Sequence, residues 1–102
     1  MKPLRTEPEA SAELEEAAMW YEEKREGLGL EFLDAVDVAL EFVSRFTEAG
    51  SLVPFVPNDV PVRRVPVKRF PFHVVYLELS SKIRIIAFAH DRRRPGYWLS
   101  RV

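Results

Sequence analysis

The side chains best suited to chemistry gather in the second half of this sequence. Arg63, Arg64, Lys68 and Arg69 form one short run, Arg84 follows, and His90-Asp91-Arg92-Arg93-Arg94 leads into Tyr97 and Trp98. Guanidinium groups interleaved with aromatic rings suit an anionic partner, through fork-like pairing and stacking. With RNA as that partner, the cations would stabilise a pentacoordinate phosphate while His73, His90 or Tyr97 moved protons, supplying the base and acid that metal-independent cleavage requires. With a protein as partner, the same arginines would pair with carboxylates and Tyr97 or Trp98 would act as anchors. Each histidine also has a structural reading. His73 alternates with Val75 and Leu77, as a hydrogen-bonded core imidazole would, and His90 beside Asp91 suits a turn-stabilising bond.

Other chemistries find little support. The two histidines stand far apart, with no HExxH and no paired-aspartate calcium loop, so no metal is expected. No glycine-rich loop opens a helix to cradle a phosphate, and no cofactor is implied. Ser44, Ser80, Ser81 and Ser100 lie outside any nucleophile-elbow context. Glutamates crowd the first third of the chain, where helical spacing makes them a solvated face.

The elements that must position these residues follow from periodicity and turn chemistry. Lys2 to Thr6 reads as a short strand, limited by Pro3 to an edge or a strand start. Thr6 and Glu9 have the spacing of a capping box, with Pro8 in the first turn. Leu14, Ala17, Ala18 and Tyr21 then recur as one apolar stripe until Gly27-Leu28-Gly29 interrupts it. A second helix is expected from about Leu30 to Phe46, on Leu33, Val36, Leu40 and Val43, with Phe32, Phe42 and Phe46 widening its stripe towards two buried sides. The short connection makes the pair an antiparallel hairpin.

Residues 47–61, with Gly50, Pro54, Pro57, Asn58-Asp59 and Pro61, read as a loop. Three strands are expected after it, Val62 to Phe70, Phe72 to Leu79 and Lys82 to His90, joined too tightly to pair other than antiparallel. In the last of them Ile83, Ile85, Ala87 and Ala89 would share an apolar face. The expected architecture is α+β: a short N-terminal strand, then a helical hairpin on one face of an antiparallel sheet of three to four strands, in the order β-α-α-β-β-β, leaving the other sheet face uncovered.

All of this fits one domain, residues 1–102, of ordinary globular composition at 47% apolar and 30% charged residues. The absence of cysteine excludes disulfide, thiolate-metal and cysteine-nucleophile chemistry and accords with a cytoplasmic setting. No membrane span or leader is expected, since the apolar runs are short and Met1 to Glu7 carries no hydrophobic segment. The net charge of −1 hides a division: residues 1–59 sum to −9 and residues 60–102 to +8. An acidic helical half thus accompanies a basic sheet half, which bears on partner choice.

Taken together, several blocks resemble the ParE branch of the RelE/ParE toxin superfamily. They are Glu13-Leu14-Glu15-Glu16-Ala17-Ala18-Met19-Trp20-Tyr21-Glu22, Gly27-Leu28-Gly29-Leu30-Glu31-Phe32-Leu33, Val62-Arg63-Arg64-Val65-Pro66-Val67-Lys68-Arg69-Phe70-Pro71-Phe72-His73-Val74-Val75-Tyr76 and Ala87-Phe88-Ala89-His90-Asp91-Arg92-Arg93-Arg94-Pro95-Gly96-Tyr97-Trp98. The resemblance runs over about residues 4–101. It implies a small bacterial toxin of the plasmid-stabilisation type, neutralised by a cognate antitoxin. ParE-like members inhibit DNA gyrase without catalytic residues of their own, which is the leading expectation, whereas RelE-like members cleave mRNA on the ribosome.

Of the RelE-type cleavage residues, Arg64 and Tyr97 match. Pro66 and His73 stand where basic residues are expected, Asp91 stands near the position of a later arginine, and Arg92 is one step away. An alternative ribonuclease would therefore use Arg64, His73, Arg92 and Tyr97, although a nearly neutral protein is poorly suited to the many phosphates of a ribosome. A third reading is a non-toxic scaffold of the same fold that only binds protein. Under the leading reading a disordered antitoxin tail folds over the Tyr97/Trp98 region and over Trp20, Leu28 and Phe32 on the hairpin.

Overall fold

The computed structural model describes residues 1–102. The chain runs through β1 (Leu4–Thr6), α1 (Pro8–Lys24), α2 (Leu28–Arg45), β2 (Ser51–Leu52), β3 (Arg63–Pro66), β4 (Phe72–Glu78) and β5 (Ile83–His90), with single helical turns at Pro57–Asp59 and Leu99–Arg101. The five strands form one sheet in the order β1-β5-β4-β3-β2, so the expected α+β order holds while the sheet gains a strand and becomes mixed. β1 lies parallel to β5, with Leu4 opposite Ile83 and Thr6 opposite Ile85. It can do so because the hairpin carries the chain across one sheet face before the antiparallel strands return it. The added strand, β2, pairs with Arg63 and Arg64 from within the stretch whose turn residues read as loop.

Pairing with Ile85 also displaces the start of α1. Thr6 is consumed by the sheet, Glu7 takes the N-cap position without a side-chain cap, and the expected Thr6–Glu9 box is not formed. Pro8 begins the helix where a missing amide costs nothing.

The turn between the helices rests on one carboxylate. Glu22 accepts from the backbone N–H of Gly27 at 2.9 Å and of Gly29 at 3.0 Å, satisfying orphan donors at the start of α2. Gly29 lies inside α2, not ahead of it, and a Cβ there would stand 2.6 Å from the Ala18 carbonyl. The missing side chain lets the two helices approach.

Two cores share the sheet. Against the hairpin, Phe32, Val36 and Val43 meet Val65, Val74, Tyr76, Ile83, Ile85 and Phe88, with Tyr21, Phe70 and Phe72 closing an aromatic cluster around Phe32 at 5.1–5.2 Å between ring centroids. On the opposite face, Val75, Leu77, Ile86, Ala87 and Ala89 are covered by Trp98 and by Val56 and Val62. The face expected to be free is therefore closed.

A β-bulge sets which residues of β5 serve which core. Val75 stands opposite Ala87 but Tyr76 opposite Ile85, leaving Ile86 without a partner in β4. Ile83 and Ile85 consequently face the helices while Ala87 and Ala89 face away, which breaks the single apolar face expected from alternation. β3 is shorter than expected: Pro66 offers no amide, and the chain turns through Arg69 at φ 74°. That turn swings Phe70 onto Tyr21 at 5.0 Å. α2 buries one side only, because no element covers Val38, Phe42 and Phe46, which are 63%, 44% and 56% exposed.

Candidate functional site

The basic half of the chain divides into cations the fold uses and cations it leaves outside. Arg63 donates to the Glu48 and Gly50 carbonyls at 2.9 and 2.8 Å, tying β3 to the segment before β2. Arg84 joins Glu7 at 2.9 Å and donates to the Arg101 carbonyl at 2.6 Å, clamping the start of α1 to the chain's last turn. Arg69 pairs with Glu31 at 3.0 Å, and the Arg25 guanidinium, seconded by this bond, holds the Glu31 carboxyl below its usual range. Arg93 stacks 3.8 Å from the Tyr97 ring. Arg64, Lys68, Arg92 and Arg94 are exposed and form no ion pair within 4.0 Å, so these four are the candidates for an external anion.

The proton carriers are arranged differently from one another. His73 follows from the β3–β4 register: Pro66 is its partner, Ala89 lies on its other side, and its side chain shares the sheet face of Arg64 and Val75, away from the helices. Asp91 holds His73 Nδ1 at 2.9 Å, leaving Nε2 as its unengaged nitrogen. His90 Nδ1 accepts the Arg92 N–H at 3.0 Å, and the ring packs edge-on against Phe72 at 5.1 Å, as a turn-stabilising residue would.

Tyr97 is tied up. Its hydroxyl donates to Glu13 at 2.6 Å, and burial together with that carboxylate pushes its pKa far above the phenol's ordinary value. A phenol held in its protonated form does not serve as a base near neutral pH.

Glu13 is the residue that sequence reasoning misplaced. Beyond the Tyr97 hydroxyl it accepts the Phe88 N–H at 3.2 Å and two guanidinium donors of Arg101 at 3.0 and 3.2 Å. Arg101 also donates to the Ile86 carbonyl at 3.1 Å. Since β1 covers β5 only as far as Ile85, the clip closes the open part of that strand edge and fastens the C-terminal segment to α1. Burial works against the Arg101 charge, but the bond to Glu13 outweighs it and raises the guanidinium above its usual range. The only sequence signal for this role was position: Glu13 sits between Ala10 and Leu14, beside the apolar stripe.

The expected partner-binding residues are split by burial. Phe32 is fully buried and Trp98 only 3% exposed, so both are core and present nothing to a partner. Leu28 is half-buried, whereas Trp20 is 55% exposed with Lys24 Nζ 4.7 Å over its ring. Two apolar depressions remain. One, of about 550 Å³, is lined by Trp20, Tyr21, Phe72 and His90 beside α1. The other, of about 520 Å³, runs between α2 and β3 over Ala35, Ala39 and Val65, with Val38 and Phe42 on one bank and Lys68 and Arg69 on the other. No group of three or more histidine, aspartate or glutamate side chains gathers in a metal-binding arrangement, and no helix is long and apolar enough to cross a membrane.

No protein-family model and no curated protein matches the chain. Among solved structures it is similar to a chain of the chromosomal ParDE toxin–antitoxin system from P. aeruginosa, with a TM-score of 0.71 and 20% identity over 88% of this chain and 96% of that one. At that identity the likeness establishes a shared fold.

Proposed function

We propose that this protein is the toxin of a type II toxin–antitoxin pair, neutralised by a cognate antitoxin and acting by inhibition of DNA gyrase. The observation that carries the reading is the near-complete correspondence in fold with the ParDE chain, together with apolar depressions on both sides of the hairpin that suit a folding-on-binding tail. The binding surface for that tail is Trp20 with the α2 groove, since Phe32 and Trp98 are spent on the core. Inhibition by binding is favoured over catalysis because the Tyr97 proton is committed to Glu13 and the net charge is only −1.

Expression of the chain alone should arrest growth, co-expression with its antitoxin should relieve the arrest, and purified protein should block plasmid supercoiling by gyrase. Normal growth on expression would refute the toxin assignment; arrest with uninhibited gyrase would refute the target alone. One observation favours a second reading, a ribosome-dependent endoribonuclease: the His73–Asp91 pair lies on the same sheet face as Arg64. There, His73→Ala should abolish mRNA cutting on ribosomes while Tyr97→Phe should not, and uncut mRNA with the wild-type chain would reject it.

A further inference from the structure

The groove between α2 and β3 carries unused charge of both signs on its two banks. On α2, Asp34 stands four residues before Val38 and Glu41 three after it, so all three share one exposed flank. Asp34 makes no ion pair, and Glu41 makes only a solvent-exposed one with Arg45 at 3.1 Å. On the β3 bank Lys68 is unpaired, and the Arg69 side chain stays 67% exposed while it touches Glu31. Between the banks lies a cavity of about 520 Å³, floored by Ala35, Ala39 and Val65.

We propose that a second copy of this chain occupies this groove, forming an isologous dimer whose two-fold axis runs along it. Such an axis lays α2 of each copy over the β3 bank of the other. Val38 and Phe42 then enter the neighbouring cavity, and Asp34 meets Lys68 of the second copy, every contact occurring twice. A uniformly acidic foreign helix would match the basic bank alone and leave Asp34 and Glu41 facing carboxylates, and a uniformly basic one would have the converse fault, so a foreign segment competes for the groove only if it carries both signs. The chain itself bears both signs in the required mirror arrangement, and its net charge of −1 opposes self-association very little. The small side chains of Ala35 and Ala39 leave room for the incoming residues. The dimer does not depend on the toxin reading; where that reading holds, an antitoxin seated in the same groove splits the dimer.

Sedimentation of the purified full chain over a concentration series at low salt tests this. The mass should rise from the 11.8 kDa monomer towards twice that value. Val38→Glu should weaken association at least tenfold. Asp34→Lys and Lys68→Glu should each weaken self-association tenfold, while an equimolar mixture of the two regains the wild-type dimer, because both cross-pairs become attractive again. All three positions are solvent-exposed, and circular dichroism checks that the variants remain folded. A chain that stays monomeric at every concentration overturns the proposal, as does a dimer indifferent to Val38→Glu or a mixture no tighter than its components. A monomer that takes up an acidic amphipathic peptide at Val38 overturns it in favour of a foreign partner.

Discussion

Replacing Glu13 by alanine should be the most damaging single change at a charged position. The carboxylate takes four donors, from Phe88, Tyr97 and Arg101, at 2.6–3.2 Å. Its side chain is 14% exposed and that of Arg101 16%, so water replaces the lost acceptor poorly. Removing one partner of a mostly buried ion pair costs about 3–5 kcal/mol, chiefly because the other charge is stranded. Arg101 keeps the Ile86 carbonyl at 3.1 Å, which argues for the lower end, about 3 kcal/mol. For a domain of this size that is a large part of a total stability of about 5–15 kcal/mol and lowers Tm by about 12–24 °C.

Glu13→Gln retains an acceptor and the side-chain volume, and should cost about half as much. Urea denaturation followed by tryptophan fluorescence measures the loss, and Trp98 reports specifically on the C-terminal segment, being buried in the second core where Trp20 is exposed. Glu16→Ala, three residues further along α1 at an exposed position, supplies the control at within about 0.5 kcal/mol of wild type. A Glu13→Ala protein as stable as that control would refute the reasoning, as would a Glu13/Arg101 double-mutant cycle with no coupling.

Three other outcomes follow from the same geometry. All three tyrosines, Tyr21, Tyr76 and Tyr97, have pKa values raised first by burial, so the folded protein holds its phenolic protons more tightly than the unfolded chain. Their contribution to stability is complete below about pH 10 and is lost as pH rises beyond it, and phenolate absorbance should appear together with unfolding. Phenolate formation by a chain with native circular dichroism would contradict this. Gly50→Ala should destabilise by about 2 kcal/mol in thermal melts, because its Cβ would collide with the Tyr76 hydroxyl, itself fixed by the Thr47 carbonyl at 2.8 Å, and would stand 3.0 Å from the Arg64 carbonyl. Phe55, 98% exposed at φ 62°, should gain about 0.5–1 kcal/mol on replacement by glycine, and an equal or lower urea midpoint would count against left-handed strain at that position.

The helices and the last three strands were legible because their apolar periods are strong and their connections carry glycine, proline and serine. What escaped depended on neighbours distant in sequence. Ser51–Leu52 is a strand only because Arg63 and Arg64 lie beside it, and Thr6 leaves its capping role only because Ile85 claims it. The two-sided apolar pattern of α2 was present in the sequence, but whether Val38 and Phe42 meet core or solvent is decided by the absence of a covering element. At the candidate site the sequence marked the right basic stretch, yet charge alone did not separate Arg63 and Arg84, bound to backbone carbonyls, from Arg64 and Lys68, which point outward. Glu13 looked like its neighbours Glu15 and Glu16 because the Tyr97 and Arg101 that engage it lie 84 and 88 residues away.

The covering of both faces of the sheet also alters how this protein tolerates substitution. A half-buried strand ordinarily accepts polar residues at every second position, and a mutational scan across it shows alternating tolerance. In β5 every residue from Ile85 to Ala89 is buried, Ile85 and Phe88 in the core against the hairpin and Ile86, Ala87 and Ala89 in the opposite one. The scan should instead record an unbroken block of five intolerant sites, resembling a strand sandwiched between two layers of helices. Variation in this chain is thereby pushed out of the centre of its sheet and into the helical hairpin's outer face and the loops.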